Sequence, residues 1–142
     1  MKTSARNCFE GRVTRVVQGA VNDEIELTLP GGEKIVAIIT RASSEALGLK
    51  EGAAAFALVK ASSVIVLADS AGARFSARNL LAGKVAQVRE GVVNAEVDIT
   101  LSGGATVVAI ITMESAKNLG LQPGQSVSAM VKASNVIIGV PA

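Results

Sequence analysis

One small sequence unit occurs twice in this chain. Shifting the 142-residue sequence by 72 positions aligns residues 4–68 with residues 76–140 without a gap, and about half of the aligned residues are identical. Both copies begin with the tetrapeptide Ser-Ala-Arg-Asn, at Ser4–Asn7 and at Ser76–Asn79. Such a duplication indicates two copies of one structural module. We expect one domain at residues 1–70, called the first repeat below, and another at residues 71–142, the second repeat.

The composition favours assembly of these small units. A repeat of this length is near the lower limit for an independent hydrophobic core. Hydrophobic residues nevertheless make up 49% of the chain, and its mean hydropathy is +0.45. No apolar run approaches the roughly 18–20 residues of a membrane span. We therefore expect the excess apolar surface to lie in interfaces of a homo-oligomer, with no membrane partner.

Charge and residue types exclude several classes of site. A net charge of +2 gives no broad field for nucleic acid, and the aromatic residues are three Phe with no Tyr or Trp. With no His and a single Cys, direct side-chain ligation of a metal of the usual kind is not expected. The amino-terminal residues lack the apolar segment of a signal peptide, so the cytoplasm is the expected compartment.

Hydrophobic patterning predicts the same secondary structure in both repeats. Alternating or β-branched runs separated by Gly-containing turns predict five strands, and a short segment ending before Gly48 predicts a helix. In the first repeat the strands are expected at Gly11–Gln18, Glu24–Leu29, Lys34–Thr40, Ala53–Lys60 and Ser63–Ala68, with the helix at Ser43–Leu47 capped by Ser43. This order predicts an all-β chain of two tandem OB-like five-stranded barrels, each with one short helix.

The polar residues shared by the two repeats are mostly hydrogen-bond donors. They are the candidate oxyanion-binding residues Ser4, Arg6, Asn7, Thr40, Ser43, Lys60 and Ser62, with their equivalents Ser76, Arg78, Asn79, Thr112, Ser115, Lys132 and Ser134. Thr40 and Ser43 lie where a strand meets the amino terminus of the predicted helix, a position that favours anions. Donors without acceptors suit a fully deprotonated tetrahedral dianion, because a protonated anion would lack an acceptor for its hydrogen.

Structural roles are the alternative for each of these residues. Thr40 and Ser43 are also typical helix caps, Lys60 and Lys132 also suit solvated strand ends, and the Ser-Ala-Arg-Asn segment also suits a structural turn. The shared Glu24 and Glu96 are interpreted as solvated or cross-strand partners. A catalytic constellation is not expected, since no general acid and base are poised together.

Several motifs resemble the Mop domain of molybdate- and tungstate-binding proteins. These motifs are Ser-Ala-Arg-Asn followed by a Gly-x-Val strand, Ala-Ile-Ile-Thr-x-x-Ser, Leu-Gly-Leu and Val-Lys-Ala-Ser, each present twice. Two such domains in one chain resemble a di-Mop molbindin of the ModG type. The resemblance implies an OB-like barrel in each domain, a trimer of chains, and molybdate or tungstate bound in interfaces between domains. It places Ser4, Arg6, Ser76 and Arg78 on one side of the anions and Thr40, Ser43, Lys60, Thr112, Ser115 and Lys132 on the other.

The leading hypothesis from the sequence is therefore a non-catalytic molybdate-binding protein for storage and homeostasis of molybdenum. The alternatives are an OB-fold nucleic-acid-binding protein and a purely structural oligomerisation module. A nucleic-acid binder would need stacking aromatics and a basic groove, which this composition does not favour.

Overall fold

The computed structural model describes all 142 residues and contains two five-stranded antiparallel sheets. The elements of the first repeat are β1 (Asn7–Gln18), β2 (Asn22–Thr28), β3 (Lys34–Thr40), α1 (Arg41–Ala46), β4 (Ala54–Val59), a 3-10 turn (Ala61–Ser63) and β5 (Ile65–Leu67). Those of the second repeat are β6 (Asn79–Glu90), β7 (Asn94–Leu101), β8 (Thr106–Thr112), α2 (Met113–Asn118), β9 (Ser126–Val131), a 3-10 turn (Ala133–Asn135) and β10 (Ile137–Gly139).

The predicted element order is confirmed, with differences at the ends of elements. Strand β3 has the predicted bounds, whereas β1 begins at Asn7 instead of Gly11. The predicted Ser43 cap is wrong: helix α1 begins earlier, because the hydroxyl of Thr40 caps it by accepting a hydrogen bond from the N–H of Ser43 (3.1 Å). Gly48 follows the helix with a φ of +63°, the left-handed conformation expected of a residue after a helix end.

Each sheet takes its fifth strand from the other repeat. The strand order is β10-β4-β1-β2-β3 in the first sheet and β5-β9-β6-β7-β8 in the second. The terminal strand of each repeat thus crosses to the sheet of its partner, where it pairs with β4 or β9. The sequence predicts five strands per repeat but not this exchange.

The main hydrophobic core lies between the two sheets. Buried Val, Ile, Leu and Ala residues from both repeats form one continuous cluster, together with Phe9. Ile25 and Leu27 of β2 and Ile99 of β7 are fully buried in it. Because apolar burial is the main favourable term in folding, the two repeats stabilise each other. The two α-helices have six residues each, far fewer than the roughly 20 that a membrane-spanning helix requires.

Candidate functional site

The first candidate site is a pocket around Lys60, called the Lys60 pocket. It has a volume of about 540 Å³. Ser4, Arg6, Lys60 and Ser62 of the first repeat line it. The second repeat contributes Ser134 of its 3-10 turn and apolar side chains of β8 and β10. No Asp or Glu lies among the lining residues. The pocket therefore presents hydroxyl groups and cations to a ligand, as expected for an anion site.

The equivalent pocket of the second repeat, called the Lys132 pocket, is smaller. It has a volume of about 290 Å³. Ser76, Arg78, Lys132 and Ser134 line it, which are the counterparts of the four residues of the Lys60 pocket. Phe75 also lines it at the position that Thr3 has in the Lys60 pocket. The structure thus brings together four of the predicted residues of each repeat, in two pockets of one chain.

The two lysines are held by the same local backbone conformation. Lys60 directly follows β4 and stands at the residue before the 3-10 turn, with φ −63° and ψ 135°; Lys132 has φ −65° and ψ 136°. Both side chains are exposed, and neither forms an ion pair in the structure. The 3-10 turn of each repeat packs against an edge strand of the other, β8 or β3. Each pocket therefore keeps one cation that is free to bind an anion.

The arginine that each Ser-Ala-Arg-Asn segment contains forms an ion pair with a carboxylate of the other repeat. Arg6 forms an ion pair with Glu96, and Arg78 forms one with Glu24. Hydrogen bonding from Arg6 lowers the pKa of Glu96, and the carboxylate of Glu96 raises the pKa of Arg6. Arg89 also binds Glu96 (2.7 Å). These pairs neutralise the guanidinium charges and leave the lysines as the available cations.

Glu24 and Glu96 have a role that the sequence interpretation missed. As predicted, Glu96 has a cross-strand partner, since Arg89 lies opposite it in the β6–β7 pairing. The contacts with Arg6 and Arg78 additionally link the two repeats. The signal that could have revealed this role is that a glutamate and an arginine are each present at equivalent positions of both repeats.

Asn7 and Asn79 lie outside the pockets and join the repeats. The side-chain amide of Asn7 donates to the carbonyl of Val108 (2.9 Å), and its Oδ1 accepts from the N–H of Val108 (2.7 Å). Asn79 forms the same pair of bonds with Val36 (2.8 and 2.7 Å). Both asparagines are buried, with 1% and 2% of their surface exposed. Their amides satisfy backbone groups of the edge strands β8 and β3 and are not presented to a ligand.

The predicted Thr and Ser residues form a second, separate cluster in each repeat. Thr40 caps helix α1, and its hydroxyl donates to Oγ of Ser43 (2.8 Å). Thr112 and Ser115 repeat this arrangement at α2 (2.8 Å). Because the Thr hydroxyl donates to the Ser oxygen, the Ser hydroxyl hydrogen remains free to donate outward. Neither cluster lines the Lys60 pocket or the Lys132 pocket.

Comparison with known proteins gives the family of the chain. A family model described as the TOBE domain matches residues 3–66 and again residues 76–138. The chain belongs to the TOBE domain family. The two matched segments coincide with the two repeats, so this is a tandem TOBE chain. Its side chains form no group of three His, Cys, Asp or Glu that could hold a metal ion.

Relatives of this TOBE chain carry names connected with molybdenum. It is 45% identical over 141 residues to the molybdenum-pterin-binding protein MopA of Rhodobacter capsulatus. The aligned region covers 99% of this chain and 53% of MopA. It is 44% identical over 140 residues to the molybdenum transport protein ModE of Azotobacter vinelandii, covering 99% of this chain and 52% of ModE. The chain thus spans about half the length of these curated relatives.

A solved structure matches the tandem TOBE chain over its length. This is the cytoplasmic molybdate-binding protein ModG with molybdate bound. The TM-score is 0.97 at 48% sequence identity, and the match covers 99% of this chain and 100% of ModG. The predicted Mop-domain fold, with two five-stranded sheets and few short helices, is therefore confirmed.

Proposed function

We propose that this chain binds molybdate, and also tungstate, without catalysis, for intracellular storage and homeostasis of molybdenum. The observation that carries this proposal is the lining of the Lys60 pocket. It combines an unpaired cation with hydroxyl donors and contains no carboxylate. Charge-assisted hydrogen bonds from such donors are about twice as strong as neutral ones. The likeness to a structure of ModG with molybdate bound supports the choice of anion.

The chemistry of the pocket favours one class of oxyanion. Molybdate and tungstate are tetrahedral dianions that carry no proton at neutral pH. No carboxylate lines the pocket to accept the hydrogen of a hydrogen phosphate ion, which would have to use a hydroxyl or amide oxygen that the fully deprotonated dianions leave free. Sulfate is also a dianion, but it is smaller and would not reach all the donors at once. We expect selection against phosphate by protonation and against sulfate by size.

The proposed complete site joins two clusters from different copies of the chain. Ser43 and Ser115 offer outward hydroxyl donors, yet they do not line the lysine pockets of their own chain. A homo-oligomer, in our proposal a trimer, would bring these hydroxyl groups of one copy to the lysine pocket of another. Binding at such an interface would also stabilise the oligomer by mass action. A cytoplasmic location is proposed from the likeness to ModG.

Isothermal titration with molybdate tests this proposal. Wild-type protein is compared with Lys60→Ala, with Lys132→Ala and with Lys50→Ala, a control at an exposed lysine outside both pockets. Loss of a charged hydrogen bond costs about 1.5–3 kcal/mol, so each pocket variant should lose about 10- to 100-fold in affinity at its own sites. Absence of binding by the wild-type protein would refute the function. Affinity and stoichiometry that match the wild type in both lysine variants would refute the assignment to these pockets.

A further inference from the structure

The two exchanged strands meet their partner sheets through equivalent sets of residues. The exchanged strands β10 and β5 each pair three residues with three residues of the neighbouring strand, β4 or β9. The pairs are Ile137–Leu58, Ile138–Ala57 and Gly139–Phe56 in the first sheet, and Ile65–Met130, Val66–Ala129 and Leu67–Ser128 in the second. Since the repeats are related by sequence, each pair in one sheet has a counterpart in the other.

Two of the three pairs are alike in the two sheets. Ile65 and Ile137 are identical, and the alanines opposite the central residue are identical. The third pair differs in a reciprocal manner. In the first sheet a small residue on the exchanged strand, Gly139, faces the large Phe56. In the second sheet a large residue on the exchanged strand, Leu67, faces the small Ser128.

Contact between Phe56 and Gly139 is close. A Cβ atom built at Gly139 would overlap the aromatic ring of Phe56. The ring therefore lies directly on the glycine backbone, and a leucine at this position would have to displace it. Inserting side-chain atoms into a packed contact of this kind is destabilising.

The counterpart in the second sheet has space for a large strand residue. Leu67 and Ser128 both line an open trough of about 890 Å³ on the second sheet. Ser128 is the equivalent of Phe56, and its small side chain leaves open the space that the Phe56 ring occupies in the first sheet. Leu67 lies against this space, and a glycine in its place would lose the apolar contact of the leucine side chain with the sheet.

Any other pairing of strands and sheets would be mismatched. If each repeat kept its own fifth strand, Leu67 would meet Phe56 and Gly139 would meet Ser128. Two first repeats from different chains would place Leu67 against Phe56 in both sheets. Two second repeats would place Gly139 against Ser128 in both. The first combination is overfilled, and the second loses the apolar contact that a large strand residue makes with the sheet.

The polar contacts of the shared asparagines and arginines do not distinguish these pairings. The amide bonds of Asn7 and Asn79 and the ion pairs of Arg6 and Arg78 use residues that are identical in both repeats. They would form equally well between two like repeats. The choice of partner must therefore depend on positions at which the repeats differ.

A buried carboxylate adds to the discrimination. Both carboxylate oxygens of Glu33 are buried without a hydrogen-bond partner, against Gly103 of the other repeat. The equivalent of Glu33 in the second repeat is Ala105. A pair of first repeats would bury two such carboxylates where the observed pair buries one, and each is costly.

We infer that the contacts Phe56–Gly139 and Leu67–Ser128 select the partner of each repeat. The terminal strand of the second repeat fits the first sheet, and the terminal strand of the first repeat fits the second sheet. A first repeat therefore pairs with a second repeat and not with another first repeat. This selection does not depend on whether the protein binds molybdate.

Four full-length proteins of identical amino-acid composition test the inference. They are the wild type, F56S/S128F, L67G/G139L and the quadruple variant F56S/L67G/S128F/G139L. The two double variants place a large residue opposite a large one and a small residue opposite a small one. The quadruple variant restores one large and one small residue at each contact. If stability followed the number of substitutions, the quadruple variant would be the least stable of the four. If it follows the fit of large against small residues at the two contacts, the quadruple variant is more stable than the double variants.

Thermal unfolding and size-exclusion chromatography measure the outcome. We expect both double variants to melt about 5 to 15 °C below the wild type, or to elute as larger species through pairing of like repeats. The quadruple variant should regain at least half of the lost melting temperature and the wild-type elution volume. The inference is overturned if the double variants match the wild type in both measurements, or if the quadruple variant is no more stable than the double variants.

Discussion

Asn7 of the first repeat and Val108 of the second are joined by two hydrogen bonds, in which the asparagine amide both donates to and accepts from the valine backbone. Val108 belongs to β8, which is an edge strand of its sheet. The amide therefore occupies hydrogen-bonding groups that would otherwise be open to another strand. Asn79 and Val36 form the equivalent contact, so the two repeats hold each other's edges.

Replacing Asn7 by Ala should destabilise the fold. The change leaves the N–H and C=O of Val108 without these partners, which costs about 1–3 kcal/mol of unfolding free energy. Urea unfolding measures this loss. Asn22→Ala is the control, because Asn22 is exposed and its side chain forms no hydrogen bond in the structure. Equal stability of Asn7→Ala and the control would contradict the structural role of Asn7.

Removing the carboxylate of Glu33 should stabilise the protein. Its two oxygens are buried with no hydrogen-bond partner, and the equivalent residue of the second repeat is an alanine. Relief of an unsatisfied buried polar group is worth about 1–3 kcal/mol. We expect Glu33→Ala to raise the urea midpoint, whereas Glu51→Ala at an exposed position should leave it unchanged. A lower midpoint for Glu33→Ala would show that the carboxylate has a stabilising partner.

The ion pair of Glu96 should make stability depend on pH in the acid range. Hydrogen bonding from Arg6 lowers the pKa of Glu96 below the ordinary value of 4.5. A depressed folded-state pKa contributes stability above the unfolded-state pKa, and this contribution is lost as pH falls through the folded-state value. The wild type should therefore lose stability below about pH 4.5 more steeply than Glu96→Gln. Parallel curves for the wild type and Glu96→Gln would contradict this, with Glu51→Gln as the control.

Substitution of the two hydroxyl residues at the amino terminus of α1 should distinguish a helix-capping role from an anion-binding role. Thr40 accepts from the helix backbone, so Thr40→Ala should cost about 0.5–2 kcal/mol of stability. The hydroxyl of Ser43 accepts from Thr40 and has a free hydrogen, so Ser43→Ala should weaken molybdate binding with a smaller effect on stability. Melting and molybdate titration of both variants test this pair of expectations. If Ser43→Ala binds molybdate like the wild type, Ser43 is not part of the site.

The sequence predicted the strands because β-branched and alternating runs such as Lys34–Thr40 have a local signature. The exchange of β5 and β10 between the sheets has no such local signature in the sequence. Each of these strands has three residues, and Ile65 and Ile137 suit either sheet. The third residue of each strand, Leu67 or Gly139, distinguishes them by the side chain it faces.

The candidate site was partly predictable for a similar reason. Duplication singled out Ser4, Lys60 and their equivalents, which do share pockets. Duplication alone does not separate a ligand-binding residue from one that joins the repeats. Asn7 and Arg6 were retained in both repeats like Lys60, but their partners, Val108 and Glu96, lie in the other repeat. Such long-range contacts become visible only in the folded chain.

Native mass spectrometry with and without excess molybdate is the most direct test of the proposed function, with sulfate as the control anion. The account predicts a homo-oligomer, a trimer in our proposal, that gains several molybdate ions and no sulfate. The same protein with Lys60→Ala and Lys132→Ala should keep the oligomeric mass and lose most of the bound molybdate. An oligomer that gains no molybdate would contradict the account and leave the shared serine and lysine residues without a binding role.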